Sequence, residues 1–148
     1  MKGLRVWCLG NVLLGDDAAG CRVAEYLAER DMDGVVDCGT VPENYIATLR
    51  RDPPRTLLIV DAADMKLAGG DFRILDINAL DATAISSHGI ALPLLLEPFA
   101  CEIEMVALGI QPMTLNPGSP LSTEVEAAAE AVADLIFKDA WRDIPGFP

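Results

Sequence analysis

The sequence predicts an α/β fold, a three-layer α/β/α sandwich built on a mostly parallel, twisted sheet. Short apolar runs alternate along the chain with amphipathic helical patterns, as a parallel sheet with crossover helices requires. The runs at residues 4–9 and 56–60 are almost continuously apolar, which is typical of strands that helices cover on both faces. Both are therefore predicted to be buried strands of the sheet.

Three more segments complete the predicted sheet. Residues 34–38 form a shorter strand of the same apolar kind. Residues 72–75 follow the Gly69-Gly70 turn and are predicted to be an added strand, for which an antiparallel pairing is open. Residues 102–108 at first alternate between charged and apolar side chains, which indicates that one face of this strand is exposed to water.

Three helices are predicted between or after these strands. Residues 18–30 and 43–51 each carry apolar side chains on one face. A third helix is predicted to open with a capping box, Thr123-x-x-Glu126. Its apolar stripe consists of Val125, Ala128, Ala129, Val132, Leu135 and Ile136.

The length and composition indicate one globular unit. With 148 residues, 51% of them hydrophobic, the chain can bury a core, and we predict a single domain over residues 1–138. Residues 139–148 have no clear period and end in Pro145-Gly146-Phe147-Pro148, so we expect a loose C-terminal tail. No run approaches the roughly 18 apolar residues of a transmembrane helix, so no membrane insertion is expected.

The charge balance limits the partners. The net charge of −12 would repel phosphate backbones and anionic membranes, so nucleic acid is not an expected partner. The N-terminal apolar run breaks at Gly10-Asn11 and then meets Asp16-Asp17, unlike a signal peptide, so we expect a cytoplasmic protein. We also expect a monomer.

The cysteines show no C-x-x-C pairing. Three of the four lie in apolar strand-like or helical runs, where cysteine usually serves as a small buried hydrophobic residue. We therefore interpret them as structural thiols of a reducing compartment. The four are Cys8, Cys21, Cys38 and Cys101.

Three side chains that can bind a metal are predicted to lie where an α/β sheet presents its ligands. Asp17 follows the first strand, in the loop that leads to the first helix. Asp61 directly follows the strand at 56–60, and His88, the only histidine, lies in a polar loop before another apolar run. Loops beyond the carboxyl ends of parallel strands meet at one crevice. Two carboxylates and one imidazole there would form an open site for a borderline divalent cation.

The first loop does not have the residues of a nucleotide site. Gly10, Gly15 and Gly20 are five residues apart and do not match G-x-G-x-x-G. Asp16 and Asp17 would also repel a pyrophosphate at the helix start. Either aspartate alone is more often a helix cap than a ligand, but one can cap while the other points into the crevice.

Other interpretations of the remaining candidates stay open. Asp61 could instead hydrogen-bond the next loop, and a single loop histidine such as His88 is more often structural than a ligand. A relay between His88 and Ser86 or Ser87 is disfavoured, because sequence neighbours rarely reach the required geometry. A cysteine nucleophile paired with His88 remains an alternative.

Five short motifs occur together in one order along the chain. They are Gly10-Asn11-x-Leu13-Leu14-Gly15-Asp16-Asp17-x-x-Gly20, Gly39-Thr40-Val41-Pro42-Glu43-Asn44, Asp61-Ala62-Ala63-Asp64-Met65, Ser87-His88 and Gly109-Ile110-Gln111-Pro112. This set resembles the hydrogenase maturation endopeptidases of nickel–iron hydrogenases, and specifically the branch that serves formate-hydrogenlyase-type, membrane-associated hydrogenases. The resemblance extends to about Lys138. One departure is Ala18, where many members have glycine.

The resemblance implies a compact α/β/α fold and one activity. Such an endopeptidase removes the C-terminal extension of a hydrogenase large-subunit precursor after nickel has been inserted. The resemblance also assigns metal contact to Asp17, Asp61 and His88, which are our predicted catalytic residues. Nickel is expected to arrive with the precursor, held by the precursor's cysteines, rather than as a tightly bound cofactor.

The chemistry of cleavage stays open at this stage. A metal could polarise the scissile carbonyl or activate water, and a paired-aspartate mechanism through Asp17 and Asp61 is a further alternative. Two other functions are also compatible with the sequence: a non-catalytic nickel-sensing chaperone for the precursor, and a generic metal-dependent hydrolase of small molecules. Only the endopeptidase would shorten a nickel-loaded precursor.

Overall fold

The computed structural model describes residues 3–80 and 91–148, and these form the predicted α/β/α sandwich. Five strands make one sheet in the order β2-β1-β3-β5-β4. The strands are β1 (Leu4–Leu9), β2 (Val35–Gly39), β3 (Thr56–Ala62), β4 (Phe72–Leu75) and β5 (Glu104–Ile110). All pairings are parallel except that of β4 with β5, so the added strand is antiparallel.

The strand register sets one common edge for the loops that follow the parallel strands. Val60 of β3 lies beside Cys8 of β1 and Leu108 of β5, so these three strands end at the same level. From β1 the chain goes to β2 on one side and then to β3 on the other. The point between β1 and β3 is therefore the topological switch point, where α/β sheets open a crevice beyond their carboxyl ends.

Helices cover both faces of the sheet. Helix α1 (Ala19–Glu29) and helix α4 (Thr123–Phe137) pack on one face, and α2 (Ile46–Arg51) and α3 (Leu92–Leu96) pack on the other. The alternation of strand residues divides the core accordingly: Val6 and Cys8 face α1 and α4, whereas Trp7 faces the other layer. Within the described residues, no helix is long and apolar enough to cross a membrane.

The start of α4 differs from the predicted capping box. Thr123 is already the first helical residue, and Ser122 occupies the N-cap position without a side-chain bond to the helix. The Glu126 carboxylate does not return to the helix start, because it accepts hydrogen bonds from Arg22 Nε at 3.0 Å and the Tyr26 hydroxyl at 3.0 Å on α1. The capping-box prediction is therefore wrong, and Glu126 joins two helices instead.

The C-terminal segment is packed, so the prediction of a loose tail is wrong. Trp141 is 2% exposed and belongs to the core on the α1 and α4 face. Ile74 of the edge strand β4 donates its N–H to Pro145 O at 2.9 Å and accepts from Phe147 N–H at 2.8 Å. The tail thus pairs with the outer side of β4, which protects an otherwise open strand edge.

Candidate functional site at the carboxyl edge of the sheet

Asp17 and Asp61 lie at the carboxyl ends of neighbouring strands, at the switch point. Asp17 is in a 3₁₀ turn, Gly15–Ala18, that leads from β1 into α1. Asp61 is the penultimate residue of β3. The helix start is pressed onto both strand ends at Gly20, where a Cβ atom would overlap Leu9 O and approach Val60 O to 2.7 Å. Only glycine fits there, and this contact draws the turn holding Asp17 towards β3.

The Asp17 carboxylate is buried, and its two oxygens have different surroundings among the described residues. The residue is 0% exposed. Its Oδ2 accepts a hydrogen bond from Asn11 N–H at 2.9 Å, whereas its buried Oδ1 accepts none from any residue the structure describes. Neither the 3₁₀ turn nor α1 receives a side-chain cap. The capping interpretation of Asp17 is therefore wrong, and among the described residues its buried Oδ1 has no hydrogen-bond partner, which is costly for a carboxylate oxygen.

The Asp61 carboxylate is held at the end of β3. The residue is 4% exposed, and its Oδ1 accepts a hydrogen bond from Ala62 N–H at 2.8 Å. This contact corresponds to the loop hydrogen bond that the sequence left open. The bond fixes the direction of the Asp61 side chain at the end of β3.

His88 falls in residues 81–90 and lies outside the described residues. Within the described ranges, no group of three His, Cys, Asp or Glu residues could hold a metal ion. The three-residue site of Asp17, Asp61 and His88 therefore stays a prediction. The structure brings its two carboxylates to adjacent strand ends.

Asp16, next to Asp17, has the opposite environment. It is also 0% exposed, but its Oδ1 accepts from Ser122 N–H at 2.7 Å. Its Oδ2 accepts from the N–H groups of Met113 and Thr114, at 2.8 and 3.0 Å, and from the Ser122 hydroxyl at 2.8 Å. Burial raises the pKa of Asp16, but these hydrogen bonds outweigh burial and bring the pKa below its usual value. Asp16 is thus a structural anion that ties the loop after β1 to the loop after β5.

The thiol of Cys21, four residues after Asp17, is poorly suited to act as a nucleophile. Cys21 on α1 is buried, and its Sγ lies 3.5 Å from Gly10 O. Burial raises the pKa of Cys21 well above its usual value, and the negative charges of Asp37, Asp61 and Asp17 raise it further. Because three carboxylates would repel the negative thiolate, the thiol stays protonated.

The other cysteines agree with the structural interpretation, with one exception. Cys8 and Cys38 are buried, and burial raises the pKa of Cys38 to about 12. Cys101 is exposed, in the turn that precedes β5 at the amino edge of the sheet. The described thiols therefore do not support the alternative of a cysteine nucleophile at the carboxyl edge.

Two further polar residues of this edge were not predicted from the sequence. Gln111, which follows β5, is 6% exposed, and its Oε1 accepts from the N–H groups of Met65 and Leu67 at 2.7 and 3.3 Å. It thereby fixes the loop that follows Asp61. Asp37 in β2 is the carboxylate that acts most strongly on Cys21. A charged residue within an apolar strand is a signal that could have singled out Asp37.

Together, the fold and its carboxyl edge define an α/β protein with an acidic site at the switch point of a doubly wound sheet. The comparisons assign the chain to a family. A model of the family described as hydrogenase maturation protease matches residues 21–139. The hydrogenase 3 maturation protease of Escherichia coli K12 is 35% identical over 144 residues, covering 95% of this chain and 91% of that protein. The chain therefore belongs to the hydrogenase maturation protease family.

Solved structures of relatives agree with the fold. The solution structure of the endopeptidase HycI from E. coli matches with a TM-score of 0.86 at 32% identity, covering 98% of this chain and 96% of that one. The hydrogenase maturation protease HycI from Thermococcus kodakarensis matches with a TM-score of 0.81 at 28% identity, covering 94% and 92%. The chain is accordingly a peptidase, which disfavours the chaperone and the small-molecule hydrolase.

Proposed function

We propose that this peptidase removes the C-terminal extension of a nickel–iron hydrogenase large-subunit precursor after nickel insertion, and that it recognises the inserted nickel through Asp17, Asp61 and His88. The relatives are named for hydrogenase maturation, and one is named for hydrogenase 3. A large-subunit precursor of the formate-hydrogenlyase type is the substrate that the sequence motifs favour.

The observation that carries the proposal is the buried Oδ1 of Asp17, which no residue in the described part of the chain hydrogen-bonds. A buried carboxylate oxygen without a hydrogen-bond donor is destabilising, and proteins retain such groups where a ligand completes them. A bound cation would give this oxygen the positively charged partner that it lacks among the described residues. Because Asn11 N–H holds Oδ2 in place, Oδ1 is presented in a fixed direction, as a metal ligand requires.

Asp17, Asp61 and His88 suit a metal ion that receives some of its ligands from the peptidase and the others from the precursor. Two carboxylates and one imidazole leave coordination positions open, and the thiolates that hold nickel in the precursor would fill them. The peptidase would then contact the metal only in the loaded precursor. This arrangement makes cleavage conditional on nickel, since a precursor without the metal would offer nothing for the three side chains to bind.

Such a site does not hold nickel by itself. Fewer than four protein donors give a weak and open site, so the purified peptidase should bind nickel weakly or not at all in the absence of precursor. Nickel is therefore part of the substrate in this proposal. Stoichiometric nickel that survives dialysis of the isolated protein would contradict it.

The test is cleavage of a purified large-subunit precursor, with and without nickel, followed by intact mass. Wild-type protein should shorten only the nickel-loaded precursor. Asp17→Asn, Asp61→Asn and His88→Gln should each lower the rate by on the order of 100-fold or more, the size of effect seen when a group that stabilises the reacting centre is removed.

The control for these variants is Asp64→Asn. Asp64 follows Asp61 by three residues, but its partly exposed carboxylate pairs with Lys66 at 2.8 Å, and its loss should leave the rate within about twofold. Asp17→Asn should not lower the free energy of unfolding, because asparagine keeps the acceptor for Asn11 and removes an unpaired charge. Processing by His88→Gln at the wild-type rate would refute the nickel-recognition role.

A further inference from the structure

The loops around the acidic site present apolar side chains to solvent. Seven large apolar side chains are exposed among the described residues, and five of them lie on the loops that follow β1, β2 and β5. These five define the apolar rim: Val12, Leu13, Val41, Met113 and Leu115. The other two, Leu94 and Phe137, lie elsewhere, on α3 and at the end of α4.

The rim is a built feature rather than a set of unrelated loop residues. Leu13 O accepts a hydrogen bond from Gly118 N–H at 2.9 Å, so the loop after β1 touches the loop after β5. Asp16 holds the same two loops together through four hydrogen bonds. On the other side, Gly10 N–H donates to Gly39 O at 3.0 Å and joins the loop after β2. The three loops therefore present their apolar side chains in a fixed arrangement.

Two of the three rim loops, those after β1 and β5, also lack charge up to the turn at Asp16 in a strongly acidic protein. Residues 6–15 and 105–123 contain no charged residue, although 23% of the whole chain is charged. A group of exposed apolar side chains without charged neighbours is the usual composition at the centre of a protein interface. An ionic ligand or a nucleic acid would find no complementary charge on it.

We infer that the apolar rim is the docking surface for the precursor polypeptide, which contacts it through apolar side chains of the segment leading to the scissile bond. The inference rests on the proposed function, because a polypeptide that brings its nickel to Asp17 and Asp61 must pass over these loops. The rim would bind the precursor polypeptide on either side of the scissile bond and would add binding energy that does not depend on the metal.

The test compares two leucines of matched exposure. Leu13 on the rim is 68% exposed and Leu94 on α3 is 65% exposed, so replacement of either by serine should leave the fold intact. Leu94 lines a hollow with Ala100 and Met105, near the start of β5 and away from the carboxyl edge. Binding of nickel-loaded precursor and its cleavage are measured separately for both variants, and for Val12→Ser combined with Leu13→Ser.

The rim variants should weaken precursor binding and raise KM by about tenfold, with kcat nearly unchanged, as loss of an apolar anchor at an interface does. Leu94→Ser should change neither by more than about twofold. Equal values for Leu13→Ser and Leu94→Ser would overturn the docking surface while leaving the proposed function intact. Wild-type binding without cleavage, sensitive to Leu13→Ser, would refute the proposed function and support the rim. Absence of both binding and cleavage in wild type would refute both.

Discussion

The two edges of the sheet leave opposite kinds of polar atoms without partners. Among the described residues, four buried side-chain nitrogen or oxygen atoms accept or donate no hydrogen bond. At the carboxyl edge they are carboxylate oxygens, Asp17 Oδ1 and Glu43 Oε2, whereas at the amino edge they are donors, Arg5 Nη1 and Trp141 Nε1. An unpaired acceptor beside a crevice can bind a cation or a hydrogen-bond donor of a ligand. Ligands of α/β proteins bind at the carboxyl edge of the sheet, where these two acceptors lie.

Several charged groups of the amino edge are paired within the chain. Arg5 meets Asp52 at 3.2 Å, and Glu104 accepts from Arg142 at 2.7 Å and from the Thr56 hydroxyl at 2.8 Å. At the carboxyl edge, by contrast, the loops after β1 and β5 expose Val12, Leu13, Met113 and Leu115 within charge-free stretches, residues 6–15 and 105–123. We therefore expect the amino edge to serve stability, whereas the proposed function assigns binding to the carboxyl edge, the division expected of an α/β protein.

The largest effect on stability is expected at the amino edge. Trp141→Ala should lower the free energy of unfolding by about 3 to 5 kcal/mol, the usual cost of removing a buried aromatic side chain. Precursor cleavage per folded molecule should not change, because Trp141 lies far from the carboxyl edge. Urea denaturation and the cleavage assay measure the two quantities.

Trp141→Phe is the matched control for this variant. Phenylalanine keeps an aromatic ring under Arg142, whose guanidinium carbon lies 4.4 Å from the tryptophan ring centroid, and it removes the unpaired Nε1–H. We expect it to cost much less than alanine. If Trp141→Ala cost under about 1 kcal/mol, the packed tail would contribute little, contrary to its burial.

The regular elements of the fold were predictable because their signals are local. The near-continuous apolar runs of β1 and β3 and the Gly69-Gly70 turn before β4 are each read from a few residues. The starts of β5 and α2 lie a few residues later than predicted, since a turn and a 3₁₀ segment precede them. The antiparallel direction of β4 was left open by the sequence and settled by its pairing with β5.

The features that could not be predicted from the sequence depend on contacts between residues that are far apart along the chain. Residues 139–148 show no period because they pack through Trp141 and pair with β4, contacts that no local pattern reveals. The capping box failed because Ser122 bonds Asp16 and Glu126 bonds α1, more than 95 residues away in sequence. The candidate carboxylates could be located from strand ends, but not their burial or the unpaired oxygen of Asp17.

The second prediction concerns Asp16, whose two carboxylate oxygens are both hydrogen-bonded, in contrast to Asp17, whose Oδ1 has no partner among the described residues. Asp16→Asn should destabilise the protein by about 3 kcal/mol at pH 7, because an amide offers one acceptor where four donors converge. The folded-state pKa of Asp16 is lowered, so its contribution is present above the unfolded-state value of about 3.9. That contribution is lost as the pH falls through the folded-state pKa.

The measurement is the free energy of unfolding of wild type and Asp16→Asn at pH 7 and at about pH 3. The difference between them should narrow on acidification. Asp33→Asn, at an exposed aspartate, serves as the control and should change stability by less than about 0.5 kcal/mol. A difference that stays constant with pH would mean that the ionised form of Asp16 is not what holds the loops.

The smallest effect is expected from the paired charges of the amino edge. Arg142 and Glu104 are 56% and 49% exposed, and the hydrogen bonds from Arg142 and Thr56 hold the pKa of Glu104 below its usual value. Because solvent screens such a pair, Arg142→Met should cost only about 0.5 kcal/mol, and less still in about 1 M salt. Methionine retains an apolar stem of similar length beside Trp141, so packing is largely kept. Urea denaturation at low and high salt gives both values. A loss of more than about 2 kcal/mol in the free energy of unfolding, unchanged by salt, would contradict this prediction. It would show that the Arg142–Glu104 pair is shielded from solvent and stabilises the fold about as much as the packed tail does.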